Sequence, residues 1–368
     1  MATSLAALAF NWFDSKPKAE VKIAINAPLT GSIATWSRQF PNGFKMGIED
    51  AARAQGIDPA LFSVDIQDNA GKPSDAVSIF NKQKIFGFDA YISVATGPAN
   101  ANAPALDAMG KPHFIAAFDP FITQKVPNRL RIMANSKIEA PLFIDYAQRR
   151  KAQSIFVMQI NMAYAEEQWS GIVIPALEKD GIQVTRERFE FSQRDFKTLA
   201  QKAKVANADL IYIVGYSFHV QPALKALRSV GLVKDGRVIS VMDFVDLVYT
   251  GTPTEELRGV VFVAPIFDIP GKMEKARDWR KRYEEQFKMS PTYVSAYAYD
   301  NATMIVDAYA KSEKVDTEAL VGATPFNGIN GKIEIDQDRD IVATVTLAEI
   351  DEEGKIRELV PLGFKPLR

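Results

Sequence analysis

Short apolar runs and amphipathic stretches alternate along the chain from Val21 onward. The first four runs have the length and β-branched content of strands: Val21–Ala27, Leu61–Ile66, Ala90–Ala95 and His113–Ala117. Strands that are apolar along their whole length are typical of parallel sheets covered by helices on both faces. The pattern therefore predicts a doubly wound α/β lobe.

A second series of strands and helices follows Arg129–Met133 and repeats this pattern. Its predicted strands are Ser154–Gln159, Gln183–Phe189, Leu210–Val214 and Val238–Val241. Its predicted helices are Ile138–Arg149, Glu166–Lys179, Asp195–Ala206 and Gln221–Ser229. Because 368 residues exceed what one hydrophobic core usually serves, we expect two lobes of ordinary domain size.

The last third of the chain changes character. Two long helices are predicted around Met273–Phe287 and Ala296–Lys311. Short runs typical of antiparallel strands follow: Gly331–Ile335, Val342–Ile350 and Ile356–Leu362. The connections are short throughout, so we expect crossing strands rather than a flexible linker between the lobes.

Composition excludes several kinds of function. The 44 Lys and Arg residues nearly balance the 45 Asp and Glu residues, which does not favour nucleic acid or an acidic membrane surface as a partner. The chain has no cysteine, so thiolate chemistry is excluded. Its two imidazole groups are those of His113 and His219. The first strand-to-helix turn, Ala27–Ser32, lacks the glycine-rich patterns that bind phosphate. We therefore expect no catalytic residue, no metal and no cofactor.

Aromatic and single polar residues stand at or just beyond the carboxyl ends of the predicted strands. Ligands bind at these ends in open α/β sheets. The predicted ligand-binding residues are Trp36, Thr96, Asn100, Phe118, Asp119, Tyr164, Tyr216, Phe218 and Asp243. Acidic pairs such as Glu166-Glu167 are expected on solvated helix faces, and His113 is expected inside the core.

Three stretches carry a resemblance to a known family. They are VKIAINAPLTGSIATWSRQFPNGFKMGIEDA from Val21, FDAYISVATGPANANAPALDAMGKP at Phe88–Pro112, and DLIYIVGYSFHVQPALKALRSVGL at Asp209–Leu232. In this order and spacing the chain, from about Val21 to Leu362, resembles the type I periplasmic solute-binding proteins of ABC transporters, in the Leu/Ile/Val-binding family of branched-chain amino acid carriers.

The resemblance implies an α/β fold of two Rossmann-like lobes, the Venus-flytrap arrangement of periplasmic binding protein type I, joined by three crossing segments. It places residues 21–136 and 265–340 in lobe 1, and residues 137–264 and 341–368 in lobe 2. Trp36 matches the aromatic residue that covers the ligand from lobe 1, and Tyr164 and Tyr216 match those of lobe 2. Asp243 falls where members that bind amino acids place an acid for the α-ammonium group.

The resemblance implies counterparts of the family's carboxylate-binding turns, and these differ in this chain. Where members that bind amino acids present hydroxyl and N–H groups, this chain has Thr96–Asn100 and Ala116–Pro120. Asn100 still offers a donor, but Asp119 facing the cleft would repel a carboxylate by roughly several kcal/mol at an effective dielectric of about 20. We therefore expect a ligand other than a standard branched-chain amino acid. The aromatic residues favour an apolar or aromatic ligand, whereas Asp119 and Asp243 favour a cationic or hydroxyl-rich one, and both remain open.

The expected function is that of the periplasmic substrate-binding component of an ABC importer. Its expected partners are a small-molecule ligand and an inner-membrane ABC permease, with no nucleic acid, no stable membrane insertion and a monomeric state. One alternative is a ligand-sensing clamshell of regulator or receptor type without a transport role, and a further one is an α/β enzyme that uses Asp119 or Asp243. The apolar segment at residues 1–20 is expected to be a signal-peptide remnant of a secreted protein or a helix packed on the body.

Overall fold

The computed structural model describes residues 20–124 and 126–359, so the predicted N-terminal segment lies almost entirely outside the described residues. The first lobe begins with β1 (Val21–Ala27), α1 (Ala34–Ser37), α2 (Phe40–Ala54), β2 (Phe62–Asp68), α3 (Pro73–Gln83), β3 (Ala90–Val94), α4 (Thr96–Met109), β4 (His113–Ala116) and β5 (Arg129–Arg131). Its five strands are parallel, in the order β2-β1-β3-β4-β5. Every residue of β3 and β4 is buried, as expected for central strands with helices on both faces.

The second lobe repeats this arrangement around a larger sheet. Its elements are α5 (Ser136–Arg149), β6 (Ser154–Ile160), α6 (Ala163–Gln168), α7 (Ile174–Lys179), β7 (Gln183–Phe189), α8 (Lys197–Ala206), β8 (Leu210–Val214), α9 (Ser217–Ser229), β9 (Val238–Ser240), α10 (Val245–Tyr249), α11 (Thr254–Leu257) and β10 (Val260–Pro265). The five strands β7, β6, β8, β9 and β10 are parallel neighbours in that order.

The chain then returns to the first lobe and leaves it again. The returning elements are α12 (Glu274–Phe287), α13 (Tyr293–Ser312), α14 (Thr317–Gly322), β11 (Phe326–Gly328) and β12 (Gly331–Ile333), followed in the second lobe by β13 (Val345–Ile350) and β14 (Ile356–Glu358). Strand β13 pairs with β10 in antiparallel fashion, and β14 pairs with β13. Three segments therefore cross between the lobes: β5 to α5, β10 to α12, and β12 to β13. The residue numbers predicted for the lobe boundaries stay a prediction.

Helices α2 and α13 pack closely, and this contact ties the returning helices to lobe 1. A Cβ atom on Gly43 would overlap the backbone carbonyl of Ser295, and one on Gly47 would meet the backbone of Tyr299. Tyr283 of α12 adds a hydrogen bond to Gln39 at 2.9 Å. The two glycines of α2 thus allow two helix backbones to approach more closely than side chains would permit.

Two helices differ from their predicted forms. Thr96–Asn100, predicted as a turn, is the start of α4, because Pro98 in the first helical turn costs no backbone hydrogen bond. The single helix predicted over Glu166–Lys179 is interrupted by a π-helical turn at Trp169–Val173. Pro175 has no N–H to donate to the carbonyl of Gly171, so the regular helical ladder cannot continue through this point.

The strands of the C-terminal tail are antiparallel, as predicted, but they begin and end at other residues than predicted. The run predicted over Gly331–Ile335 forms β12, which pairs with β11, and the next run begins at Val345 rather than Val342. The last strand ends at Glu358, and most of its predicted continuation lies outside the described residues. None of the helices in the described part of the chain combines the length and the hydropathy of a membrane span.

Candidate functional site at the interlobe cleft

The predicted site residues cluster where the strand order of each sheet reverses. In lobe 1 the chain runs from β1 to β2 on one side and then to β3 on the other, and in lobe 2 β6 lies between β7 and β8 in the same way. Helix dipoles and loops converge at such points, at the carboxyl ends of the strands. Trp36 and Thr96 follow β1 and β3, whereas Tyr164 and Tyr216 follow β6 and β8. The two lobes therefore present equivalent edges to the space between them.

Four aromatic rings form a continuous row across this space. The ring centroids of Trp36 and Phe118 are 5.8 Å apart, those of Phe118 and Tyr164 are 6.2 Å apart, and those of Tyr164 and Tyr216 are 6.3 Å apart. The middle contact joins a residue of lobe 1 to a residue of lobe 2. All four rings are buried, so the row forms an apolar surface shared by both lobes.

Phe218 lies behind this row rather than within it. Its ring stacks on Tyr216 with centroids 5.5 Å apart and planes 5° from parallel, and the Arg194 guanidinium lies 4.5 Å from the Phe218 centroid. Phe218 is partly buried and also packs against His219. In this position it supports the orientation of Tyr216.

Asp119 and Asn100 are brought together at the lobe 1 edge. The Asn100 amide donates to one Asp119 carboxylate oxygen at 3.1 Å, and the backbone N–H of Phe121 donates to the other at 2.9 Å. Thr96 lies one helical turn before Asn100 on the same face of α4 and is nearly buried. The start of α4 is therefore already close to a carboxylate of the protein itself.

Glu167 lies beside Asp119 from the other lobe, contrary to the solvated position predicted for it. Desolvation raises the pKa of Glu167, and the neighbouring Asp119 carboxylate raises it further. Its sequence neighbour Glu166 instead forms ion pairs with Arg186 and Arg188. The prediction was wrong for Glu167 because α6 turns that side chain toward lobe 1.

Asp243 lies in a cluster of buried carboxyl groups at the lobe 2 edge. The cluster also contains Glu139 and Asp246, and all three side chains are at most 4% exposed. Burial raises the pKa of Glu139 and of Asp246 to about 7 each, and it raises the pKa of Asp243 above its ordinary range. Glu139 accepts the backbone N–H of Met242 at 2.8 Å, which holds the loop that carries Asp243.

Tyr293 connects this acidic cluster to the row of rings. The indole N–H of Trp36 donates to the Tyr293 hydroxyl at 2.6 Å. Burial raises the pKa of Tyr293, and the carboxylates of Asp246 and Asp243 raise it further. The first residue of α13 is thus bonded to Trp36, the first ring of the row.

Comparison with known proteins agrees with this geometry. The profile of the family described as "Periplasmic binding protein" matches residues 20–355, nearly the whole chain. The chain belongs to the periplasmic binding protein family. The resemblance to its type I, Leu/Ile/Val-binding members is confirmed by relatives that carry this name in several bacteria.

This periplasmic binding protein has relatives in several bacteria. It is 27% identical to a Leu/Ile/Val-binding protein homolog 3 of Brucella melitensis over 59% of this chain and 60% of that protein. It is 25% identical to the leucine-, isoleucine-, valine-, threonine- and alanine-binding protein of Pseudomonas aeruginosa over 91% of both chains. Its fold matches that of an ABC-transporter solute-binding protein from Rhodopseudomonas palustris in complex with 3,4-dihydroxybenzoic acid, with a TM-score of 0.83, 20% identity and coverage of 95% of this chain and 98% of the other.

The two histidines of this periplasmic binding protein lie outside the row of rings. His113 bonds to the Ser93 hydroxyl at 2.9 Å, and burial lowers its pKa to about 3. His219 bonds to the carbonyl of Phe191 at 2.8 Å, and burial lowers its pKa to about 4. Both rings are therefore neutral at physiological pH. Across residues 20–124 and 126–359, no group of three or more His, Asp or Glu side chains has the arrangement of a metal site.

Sequence reasoning missed four side chains of this cleft: Glu139, Glu167, Asp246 and Tyr293. One local signal pointed to Asp246, which interrupts the apolar run Val245–Val248. An acid in a run of buried apolar residues requires a partner or a function. The other three have no such signal, because their neighbours along the chain are ordinary for helix termini and helix faces.

Proposed function

We propose that this protein is the periplasmic substrate-binding component of an ABC importer, and that it binds a small organic solute between its two lobes. The observation that carries the proposal is the Phe118–Tyr164 contact in a row of buried rings contributed by both lobes. A ligand that contacts both lobes stabilises the closed form over the open one, and a permease recognises the closed form. Secretion by a signal peptide and a monomeric state belong to the same proposal.

The predicted ligand-binding residues remain part of the proposal, in two roles. Aromatic rings supply apolar area to a ligand body, and the acids and amides orient its polar groups. The rings are those of Trp36, Phe118, Tyr164 and Tyr216, with Phe218 behind them; the polar groups are those of Thr96, Asn100, Asp119 and Asp243.

The relatives support a small organic ligand without fixing its identity. One is named for leucine, isoleucine, valine, threonine and alanine, and another was solved with a dihydroxylated aromatic acid. Both ligand types carry a carboxylate. In this chain Asp119 and Glu167 face each other at the edge where such a carboxylate would approach, which argues against a standard branched-chain amino acid.

Ligand binding and uptake test the proposal separately. Protein purified without denaturation would be analysed by native mass spectrometry for a bound small molecule, and candidate solutes would be titrated by calorimetry. Tyr216→Ala should weaken binding at least tenfold, whereas Val205→Ala, at a side chain that is 86% exposed, should leave it unchanged.

Transport requires a second measurement in cells. Deletion of the gene should abolish high-affinity uptake of the radiolabelled ligand, and the wild-type gene but not the Tyr216→Ala variant should restore it. Tight binding with unaltered uptake would contradict the importer role and favour a sensing clamshell. Chemical turnover of the bound solute would contradict the binding-protein assignment.

A further inference from the structure

The lobe 2 edge contains carboxylate oxygens that are buried from solvent and accept no hydrogen bond from the described residues. One oxygen of Asp243 and both oxygens of Asp246 are buried and make no hydrogen bond within the described residues. The two residues are 4% and 2% exposed. A buried polar group without a partner is costly, and an isolated buried charge is more so. A proton lowers this cost, and a bound group that donates to these oxygens would lower it further.

The charges that act on these two acids are all negative. The pKa of Asp243 is raised first by burial and then by Asp246 and Glu139, and that of Asp246 is raised by burial and then by Asp268. Arg280 is committed to the neighbouring acid Asp268, to which it donates at 3.0 Å. Ionisation of Asp243 and Asp246 therefore places negative charge among other acids, and a bound cation would stabilise the ionised form.

Three tyrosines interact electrostatically with the same two acids. Asp243 contributes to the raised pKa values of Tyr164 and Tyr216, and Asp246 and Asp243 contribute to that of Tyr293. The faces of such rings attract cations and also bury apolar groups. A positively charged nitrogen on an apolar body fits both the rings and the acids.

The opposite edge of the cleft disfavours a second, anionic end on the ligand. Asp119 already accepts the Asn100 amide beside the start of α4, and Glu167 lies next to it. The buried Arg131 offers no free charge there, because it pairs with Asp340 at 2.7 Å and donates to the carbonyls of Ala117 and Asp119. An amino acid would place its carboxylate among these groups.

From these observations we propose that the cleft binds an organic cation that has no carboxylate, such as a primary amine or a quaternary ammonium group on an apolar body, with the cationic nitrogen held by Asp243 and Asp246. This inference rests on the proposed function and specifies its ligand class. It differs from an amino-acid site in using two acids for the cation and in excluding the anionic end.

Matched pairs of probes test the ligand class. Calorimetry at pH 7.5 would compare 3-methylbutylamine with L-leucine, which differ by one carboxylate, and benzylamine with benzoate. Each amine should bind at least about tenfold more tightly than its acid partner. Tighter binding of leucine or benzoate would overturn the cation proposal and leave the proposed function standing.

If none of the four probes binds, the chemical class of a molecule that co-purifies with the protein decides the question. An anionic or zwitterionic co-purified ligand would overturn the cation proposal alone, and a cationic one without a carboxylate would support it. If no probe binds, no ligand co-purifies and no solute of a broader panel binds, both the cation proposal and the proposed function fail.

Isosteric variants identify the groups that hold the cation. Asp246→Asn should weaken amine binding at least tenfold with little change for a neutral ligand such as benzyl alcohol. Asp300→Asn is the control, since Asp300 is also buried but accepts hydrogen bonds from Ile329 and Asn330, and it should leave amine affinity unchanged. Thermal unfolding of each variant confirms that it is folded. Equal amine affinity in wild type and folded Asp246→Asn would overturn the role of Asp246.

Discussion

The ring of Phe118 in lobe 1 packs against the ring of Tyr164 in lobe 2, with centroids 6.2 Å apart. An aromatic pair of this kind is worth about 0.5–1.5 kcal/mol beyond its buried area. Phe118→Ala should therefore shift the ligand-free protein about two- to tenfold toward a more open form. Small-angle scattering would detect the shift as a larger radius of gyration, and Phe114→Leu in the core of the same lobe should not produce it. An unchanged radius in Phe118→Ala would show that this contact does not hold the lobes together.

Trp36 should report ligand binding by fluorescence. Its indole lies against Phe118 and donates to Tyr293, whereas Trp169 packs against Phe143 and Tyr212, and Trp279 packs against Phe267 and Tyr283. Trp36→Phe should abolish most of the ligand-induced change in emission, and Trp169→Phe should preserve it. Loss of the signal in Trp169→Phe instead would place the ligand elsewhere.

The stability of the ligand-free protein should fall as the pH rises from about 4 to about 7. The pKa of Asp246 rises from 3.8 to about 7 on folding, so the native state holds its proton more tightly than the unfolded state. The contribution of protonated Asp246 to the stability of the native state is therefore fully present below about pH 3.8. It is lost as the pH rises through about 7. Glu139, with a pKa of about 7, acts in the same direction.

Asp246→Asn isolates one part of this effect. The melting temperature of the variant relative to wild type should increase between pH 4 and pH 8, because the amide cannot ionise. Scanning calorimetry without ligand at several pH values measures the difference. A difference that is constant with pH would mean that Asp246 does not titrate in this window.

Arg131 and Asp340 form a buried ion pair that supports the loop bearing Phe118. The pair is 2.7 Å apart, and Arg131 also donates to the carbonyls on either side of Phe118. Arg131→Met should lower the free energy of unfolding by about 3–5 kcal/mol, since it leaves Asp340 buried without its cation. Arg277→Met, at an exposed pair with Glu274, should change it by less than about 1 kcal/mol. Denaturant unfolding of both variants provides the comparison, and equal effects would contradict the argument from burial.

Gly43 should tolerate no side chain. A methyl group there meets the backbone of Ser295 in α13, and a backbone cannot move aside as a flexible side chain does. Gly43→Ala should cost about 1–3 kcal/mol or more of stability. Gly322→Ala, in a helix position with open space around it, should instead gain up to about 1 kcal/mol. A neutral Gly43→Ala would mean that α2 and α13 are less closely packed than described.

Local patterns predicted most of the architecture. The strands β1, β3, β6 and β8 were found within a residue or two because their apolar runs are buried on both faces, which is a property of the run itself. The start of α4 and the break after α6 were missed because proline has opposite effects at different helix positions, and its position is known only when the helix boundaries are known.

By itself, the sequence determined the two α/β lobes, the family, and the aromatic and acidic residues at the strand ends, because strand ends follow from periodicity along the chain. Only the tertiary structure decided which of those groups meet. Trp36 bonds to a tyrosine 257 residues away, and Glu139 holds a loop 103 residues away. The loss of water and of partners around Asp246 is likewise a property of the packed cluster, since burial and charge are set by every element that closes around a side chain.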